Sequence, residues 1–317
     1  MRITVISGGE AGARFTGGLL DHLDSTPDLA GSRVSTIANT GDDVSLWGLR
    51  LCPDLDLHLR AAESTKGTDA PGSRVVADDL ATLGLEPHWY PVTDREMAVH
   101  VARTAWLGRG DSLTEVTARM ARARGLDEGR VQVLPMSDVP VETHAVLEGP
   151  EEQQAVHVQQ WRHEMGHPPV ARFVVAGLDR ATPGPEVLAA IRTADVVLLA
   201  PADPVLTLGI VLGVPGVRDA LRGTSAPVVG VSPVGSAPAA QPLLTSLATV
   251  GVDPDAASVA GLFRDLLDGW VVDPADAGRA VPGSRCTTRA HTAPLGPDAD
   301  PVELAATALG LATSLRP

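Results

Sequence analysis

Cysteine is scarce in this sequence: Cys52 and Cys286 are the only two among 317 residues. Two thiols cannot frame a disulfide scaffold or a structural zinc site. Aromatic residues amount to 3%, and the scattered tryptophans read as core rather than as stacking platforms. Lysine is nearly absent. Acids outnumber Lys and Arg 39 to 25, for a formal net charge of −14 and a pI near 5.0. With no overall positive field to draw a phosphate backbone, a nucleic-acid partner is excluded. A nucleotide, which needs only local donors, is not. Long apolar runs are missing, so no stretch reads as a membrane span. The N-terminus enters a strand within two residues and shows no signal-peptide pattern. These absences read as a soluble, cytoplasmic protein with no membrane partner. What is present suffices for a core: 44% hydrophobic residues and a mean hydropathy of +0.09. The length fits one large domain or two modest ones.

The most informative stretch is Asn39-Thr40-Gly41-Asp42-Asp43, followed shortly by Pro53-Asp54-Leu55-Asp56. The apolar run Val34 to Ala38 before it predicts a strand, and Gly41 permits a tight turn after that strand. Asp42 and Asp43 are therefore expected at a strand exit, the edge of an open parallel sheet where ligands bind. Asp54 and Asp56, at i and i+2, share no helical face but would point the same way on an extended segment. Four converging carboxylates repel unless a cation or proton relieves them. Hard oxygen ligands suit Mg²⁺, which binds through one or two carboxylates plus substrate phosphates. The alternative is that Asp42 and Asp43 are solvated turn residues.

Along the chain, Ile3 to Ile6 reads as a strand ending in Ser7-Gly8-Gly9, with a helix from about Arg14 to Leu23. Strand, glycine turn and helix form a phosphate-cradling layout in which Gly8, Gly9 and Gly12 supply backbone N–H groups. An ordinary turn is the competing reading. Arg14, a cation in the first helical turn, suggests an anion nearby. Leu59 to Pro71 reads as a mobile loop. Asp94 to Leu107 and Leu113 to Arg124 read as helices, and Val131 to Pro135, His144 to Leu147 and Val156 to Val158 as strands. Residues 149–152 mark a hairpin turn. Alternation then resumes. Ala171 to Ala176, Asp195 to Ala200, Pro227 to Val231 and Trp270 to Val272 read as strands. Helices are expected at Gly184 to Thr193, Leu206 to Leu212, Gly216 to Leu221, Gln241 to Val250 and Ala256 to Leu267. Gly283 to Pro301 reads as loop and Pro301 to Leu315 as a last helix. Strands alternating with helices predict an α/β fold, a Rossmann-like, doubly wound, mainly parallel sheet. The expected division is a core of residues 1–56 and 171–317, with 57–170 a smaller α+β cap over the crevice.

The glycine turn at Ser7-Gly8-Gly9, the Asn39 to Asp43 stretch, and Gly48-Leu49-Arg50-Leu51-Cys52-Pro53-Asp54-Leu55-Asp56 together resemble the 2-phospho-L-lactate transferase family, which works in coenzyme F-420 biosynthesis. Further landmarks follow in order: Asp94-Arg95-Glu96 ahead of His100 and Arg103, Glu142-Thr143-His144, Leu199 to Pro204 with Asp203, Val214 to Arg218, and Val231-Ser232-Pro233. The resemblance implies a homodimer and Mg²⁺ dependence. It implies a guanosine-diphosphate-linked phospho-lactyl or phosphoenolpyruvyl donor, a ribityl hydroxyl of the deazaflavin Fo as acceptor, and GMP as leaving group. It also implies a substrate site built from Gly8, Gly9, Gly12, Arg14, Asn39, Thr40, Gly41, Asp94, His100, Arg103, His144, Asp203, Ser232 and Pro233. Departures cluster there. The turn carries Ala11-Gly12 where the family has a second glycine pair, and Ala202-Asp203 replaces a Ser-Asn. The loop after Ser232-Pro233 has no basic residue.

The mechanism expected is phosphoryl transfer, with Asp42 and Asp56 as metal ligands and Asp43 as the base that takes the acceptor's proton. As crevice carboxylates in mutual repulsion, these aspartates are expected to contribute little to stability. His100 and Arg103, at i and i+3 on one helical face, would hold a phosphate or ring carbonyl, or form a surface pair. His144 is either a site residue or a hydrogen-bonded core residue. Alternatives are a divergent paralogue using another donor or acceptor, and a deazaflavin- or nucleotide-binding protein without turnover. An NAD-dependent oxidoreductase is disfavoured, because the glycine spacing is wrong and no acidic ribose reader follows.

Overall fold

A computed structural model describes residues 1–63, 72–148 and 153–316. Strand β1 (Arg2–Ser7) passes through Gly8 into helix α1 (Gly9–Ser25), and β2 (Arg33–Ala38) follows. A short antiparallel hairpin, β3 (Val44–Leu46) and β4 (Leu49–Leu51), turns at Trp47 and Gly48, both at positive φ. Such a turn matches the twist of the strands it joins. Helices α2 (Pro53–Glu63), α3 (Val75–Thr82), α4 (Asp94–Leu107) and α5 (Leu113–Ala123) come next. Capping boxes start α4 (Thr93 with Glu96) and α5 (Ser112 with Glu115), satisfying amides that a helix start leaves unpaired. Then come β5 (Val131–Pro135), β6 (Glu142–Leu147), β7 (Gln154–His157), α6 (Val158–His163) and β8 (Val170–Ala176). The rest alternates: α7 (Pro185–Arg192), β9 (Val196–Leu199), α8 (Leu208–Gly213), α9 (Val217–Arg222) and β10 (Val228–Val231). The chain closes with α10 (Gln241–Thr249), α11 (Ala256–Gly261), β11 (Gly269–Val272), β12 (Thr287–Ala290) and α12 (Pro301–Ser314).

Seven strands form one sheet in the order β12-β11-β10-β9-β1-β2-β5, with every neighbouring pair parallel. From β1 the chain builds outward through β2 to β5, and from β9 it builds the other way to β12. The winding reverses between β1 and β9, and a crevice opens beyond the carboxyl ends of the strands at such a point. Both faces of the sheet are covered. Ile3, Val5, Val196 and Leu198 pack with Phe15 and Leu19 of α1 and Leu304 and Leu309 of α12. The alternate residues Ile6, Val197 and Leu199 pack on the opposite face with Ile191, Val217 and Phe263. Period-two alternation with both sides apolar is what makes these strands read as continuous hydrophobic runs.

The expected fold class holds, but the division into parts differs. β5 lies inside the 57–170 range expected to be a cap, yet it pairs with β2 in the main sheet from Val34↔Val131 to Ala38↔Pro135. Leu55 and Leu59 of α2 and Val116 and Met120 of α5 pack with its Val133. Conversely β8, expected in the core, pairs antiparallel with β6, giving a separate sheet in the order β7-β6-β8. Periodicity identifies a strand but not its partner. β12 was not foreseen within the Pro/Gly-rich stretch 283–301, and α1 begins at Gly9 rather than Arg14. Asp54 and Asp56 lie in the first turn of α2, not on an extended segment. Leu59 to Glu63 are likewise helical. The rest of the expected loop, 64–71, and the expected turn at 149–152 fall outside the described residues.

Candidate active site

A cavity of about 760 Å³ opens at the strand exits and is lined by Gly8, Gly9, Asp42, Asp203, Ser232 and Pro233 among others. Helices α2, α4 and α6 contribute Asp54, Asp56, Arg60, Glu96, His100, Gln159 and Arg162. Another part of the lining is apolar and comes from the loop after β10, the start of α10 and the approach to α12, including Ala237, Pro238, Leu243, Leu295 and Pro297. Asp273 joins those two segments. Its carboxylate accepts from Ser236 N and Oγ and from Leu295 N.

The four acidic residues of the two expected motifs come together, each with a different counter-group. Asp42 is ion-paired through Oδ2 to Arg162, and its backbone carbonyl accepts from Gln159 Nε2 at 3.2 Å. Asp42 Oδ1 is buried and has no hydrogen-bond partner among the described residues. Asp43 is fully buried, does not line the cavity, and meets Arg50 at 3.2 Å. Burial pushes its carboxyl up to about 7 and outweighs the attraction of Arg50. Asp54 accepts from Asn39 Nδ2 at 3.0 Å and from the Gly9 amide. Burial, then the neighbouring Asp42, push it up to about 7. A carboxylate of the protein thus occupies the start of α1, where the sequence suggested a phosphate. The close fit depends on Gly8, because a Cβ there would lie 2.5 Å from Asp54 Oδ2.

Asp56 binds Arg103 through both oxygens, one at 3.1 Å, and Arg103 is 1% exposed. Two residues apart on one helix, Asp54 and Asp56 cannot face the same way, which agrees with their separate partners. His100 Nδ1 lies 3.3 Å from Arg103 Nη1. Burial pushes His100 down to about 4, so the ring is neutral at pH 7; Nδ1 accepts from Arg103 and Nε2 carries the proton. His58, unremarked in the sequence, is buried between Asp54 O (2.7 Å) and Ser7 Oγ (2.8 Å) and ties α2 to the end of β1.

The remaining expected residues divide. Gly8, Gly9, Arg14, His100, Asp203, Ser232 and Pro233 line the cavity with Asp42 and Asp56; Gly12, Asn39, Thr40, Gly41, Asp94, Arg103 and His144 do not. Asn39 holds Asp54 and accepts from the Gly41 amide at 2.9 Å. Thr40 is buried, and Gly41 sits against Ile210. Gly12 packs on the Ser7 hydroxyl. Asp94 accepts from Ser73 Oγ and Val76 N at the start of α3, away from the cavity. His144 stacks edge-to-face on His157 at 5.4 Å, and His157 bonds the Asp43 carbonyl. Arg14 is engaged by the carbonyls of Pro297 and Ala299. Asp203 caps its own turn, accepting from Val205 N and Leu206 N at 2.8 Å. Sequence reasoning missed Arg162 and Gln159 as site residues. They stand on a six-residue helix about 120 positions from Asp42, and no local pattern marks them.

Fold and cavity together define a doubly wound α/β protein with an acidic ligand site at the winding reversal. The chain belongs to the 2-phospho-L-lactate transferase CofD family, whose model matches residues 3–305. It is 40% identical over 296 residues to a phosphoenolpyruvate transferase of Thermobifida fusca, covering 89% of each chain. It is 39% identical over 303 residues to a phosphoenolpyruvate transferase of Streptomyces griseus, covering 93% of this chain and 92% of that one. Among solved structures, an upf0052-family protein of Bacillus halodurans shares the fold, with a TM-score of 0.55 and 18% identity over 86% of this chain and 80% of that one.

The carboxylates are not the weakly stabilising crevice groups that the sequence suggested, because each is buried against its own partner. Asp56→Asn leaves Arg103 charged and buried, which should destabilise the fold by about 3–5 kcal/mol. Asp42→Asn, whose partner Arg162 is 22% exposed, should lower the melting temperature far less. Thermal melts of the two variants check this; equal losses would contradict the difference in burial.

A second expectation concerns pH. Asp54 goes from its ordinary carboxylate range when unfolded to about 7 when folded. Between about 4 and 7 the native state therefore binds the extra proton, and this group erodes stability as pH rises through that window. His58 opposes it. Burial pushes His58 down to about 4, so its contribution is lost as pH falls below about 6.5. Asp54→Asn should gain stability over the parent chain progressively from pH 4 to 7 and level off above. Denaturant titrations in EDTA across that range measure the difference; a pH-independent gap would refute the assignment.

Proposed function

We propose that the chain transfers a phosphoenolpyruvyl group from a guanosine-diphosphate-linked donor to the ribityl hydroxyl of the deazaflavin Fo. The hydroxyl oxygen gives up its proton to water and forms a bond to the phosphorus that bears the acid, and the phosphorus–oxygen bond to GMP breaks, the electron pair leaving with GMP. Family membership supports the transferase reading. That the Thermobifida and Streptomyces relatives are phosphoenolpyruvate transferases supports phosphoenolpyruvate over 2-phospho-L-lactate as the acid. The observation that carries the proposal is the buried Asp42–Asp54 pair at the strand exits, with one carboxylate oxygen unpartnered.

That pair also fits Mg²⁺. An orphaned, desolvated oxygen beside a carboxyl that burial, and then its acidic neighbour, push up to about 7 is relieved by a hard cation. Among the described residues, no three His, Cys, Asp or Glu side chains converge as a full protein cage. Mg²⁺ does not need one, because it retains waters and binds substrate phosphates. Asp42 and Asp54 would hold it, whereas both oxygens of Asp56 are spent on Arg103. When bound, the cation supplies charge neutralisation on the phosphate oxygens. Phosphoryl transfer asks little covalent chemistry of the protein, so the side chains act by positioning. Asn39 and the Gly9 amide orient Asp54, Gln159 holds the turn at Asp42, and neutral His100 offers its Nε2–H as a donor. The three arginines lining the cavity, Arg14, Arg60 and Arg162, are each already partnered.

Incubating the protein with Fo, Mg²⁺ and the enolpyruvyl donor should yield the phosphodiester and GMP by mass spectrometry, with the lactyl donor turned over more slowly. Absence of product with either donor would overturn the proposal and favour a binding protein or a paralogue with other substrates. The loop beyond Ser232 gives a further expectation. Ala237 lines the cavity on the loop after Ser232-Pro233, which itself carries no basic residue, so Ala237→Lys should tighten guanosine-diphosphate binding about ten- to a hundred-fold, the value of one charge-assisted contact. Calorimetry with Mg²⁺ present decides this, and no gain would place the diphosphate elsewhere in the cavity.

A further inference from the structure

Arg162 and Arg103 both pair with a carboxylate of the acidic motifs, yet the two pairs are built differently. Arg103 grips Asp56 with two nitrogens and is 1% exposed. Arg162 reaches Asp42 with one nitrogen, lines the cavity, and leaves Asp42 Oδ1 buried and unpartnered. Arg162 also faces Asp54 and Asp203. Asp203 is engaged by its own turn and by Ser246 Oγ, so the charge of Arg162 serves the Asp42–Asp54 pair.

The surroundings leave Arg162 free to move while its helix stays. Trp161, its neighbour on α6, is fully buried and donates Nε1–H to Pro168 O at 3.0 Å. Gln159 of the same helix holds the Asp42 carbonyl independently of the ion pair. A divalent cation on Asp42 and Asp54 would meet the guanidinium as a like charge sharing one carboxylate, in a site shielded from bulk water.

We propose that Arg162 is an exchangeable counter-ion: it leaves Asp42 when a divalent cation binds there, and its freed guanidinium then holds phosphate oxygens of the donor. This rests on the reading that the cavity takes a divalent cation and a nucleoside diphosphate. A guanidinium suits the second role, since its planar fork matches phosphate oxygens.

The test uses Mn²⁺ as a spectroscopic substitute for the cation. Its affinity is measured by electron paramagnetic resonance on the parent chain, Arg162→Gln and Arg162→Lys, without nucleotide. Arg162→Gln removes the competing charge and should bind Mn²⁺ about tenfold tighter. Arg162→Lys keeps the charge and should stay near the parent value, which separates charge competition from altered packing. In calorimetry with Mn²⁺ saturating, Arg162→Gln should bind guanosine diphosphate at least about tenfold more weakly. Unchanged or weaker Mn²⁺ binding by Arg162→Gln, or undiminished diphosphate binding, would overturn the inference while leaving the cation site standing. Absence of Mn²⁺ binding by all three proteins would instead overturn the cation reading and the inference with it.

Discussion

Desolvated negative charge is the constraint on which the rest of this structure depends. Asp42, Asp43, Asp54 and Asp56 are all buried within two short motifs at the strand exits. An isolated carboxylate in such a place neutralises itself or destabilises the fold, so each needs a partner with donors to offer. The structure supplies four different ones. Arg162 pairs with Asp42, Arg50 with Asp43, Asn39 and the α1 start with Asp54, and Arg103 with Asp56.

Those partners explain why the elements inserted into the α/β framework sit where they do. The β3–β4 hairpin delivers Arg50, α4 delivers Arg103, and the β7–α6 corner delivers Arg162. Two of these elements have apolar clusters of their own: Val44, Leu46 and Leu51 for the hairpin, and Trp161 with Val158 and Leu206 for the α6 corner. They place positive charge over an acidic crevice that the sheet's winding creates.

The quality of each pair sets its character. A bidentate, buried Arg103–Asp56 contact is hard to break without leaving a bare charge. A single-ended pair at the cavity surface, with an oxygen to spare, is poised for exchange. The same cavity carries a wall of Ala, Pro and Leu from the loops after β10 and before α12, held together by Asp273. Its charged residues gather on α1, α2, α4 and α6 and at the exits of β2 and β9, so affinity for an anionic ligand depends on what those groups leave unpaired.

What the sequence by itself determined was local. Glycine and asparagine chemistry at Gly8-Gly9 and Asn39 to Gly41 marked the strand exits, and apolar runs marked β1, β2, β9, β10 and β11. Period-3.6 patterns marked α4 and α5 to within a residue. Turn preference and periodicity are properties of a few consecutive residues, so they can be read without the fold. Tertiary structure alone decided that β5 joins the main sheet and β8 leaves it, because a strand's pattern does not name its partner. It also decided that Asp54 is the acidic neighbour of Asp42, whereas Asp56 spends both oxygens on Arg103. The sequence showed four converging acids and no partner for any of them. Their difference comes from arginines 7, 47 and 120 residues distant, the last two brought in by long-range packing that no local signal encodes.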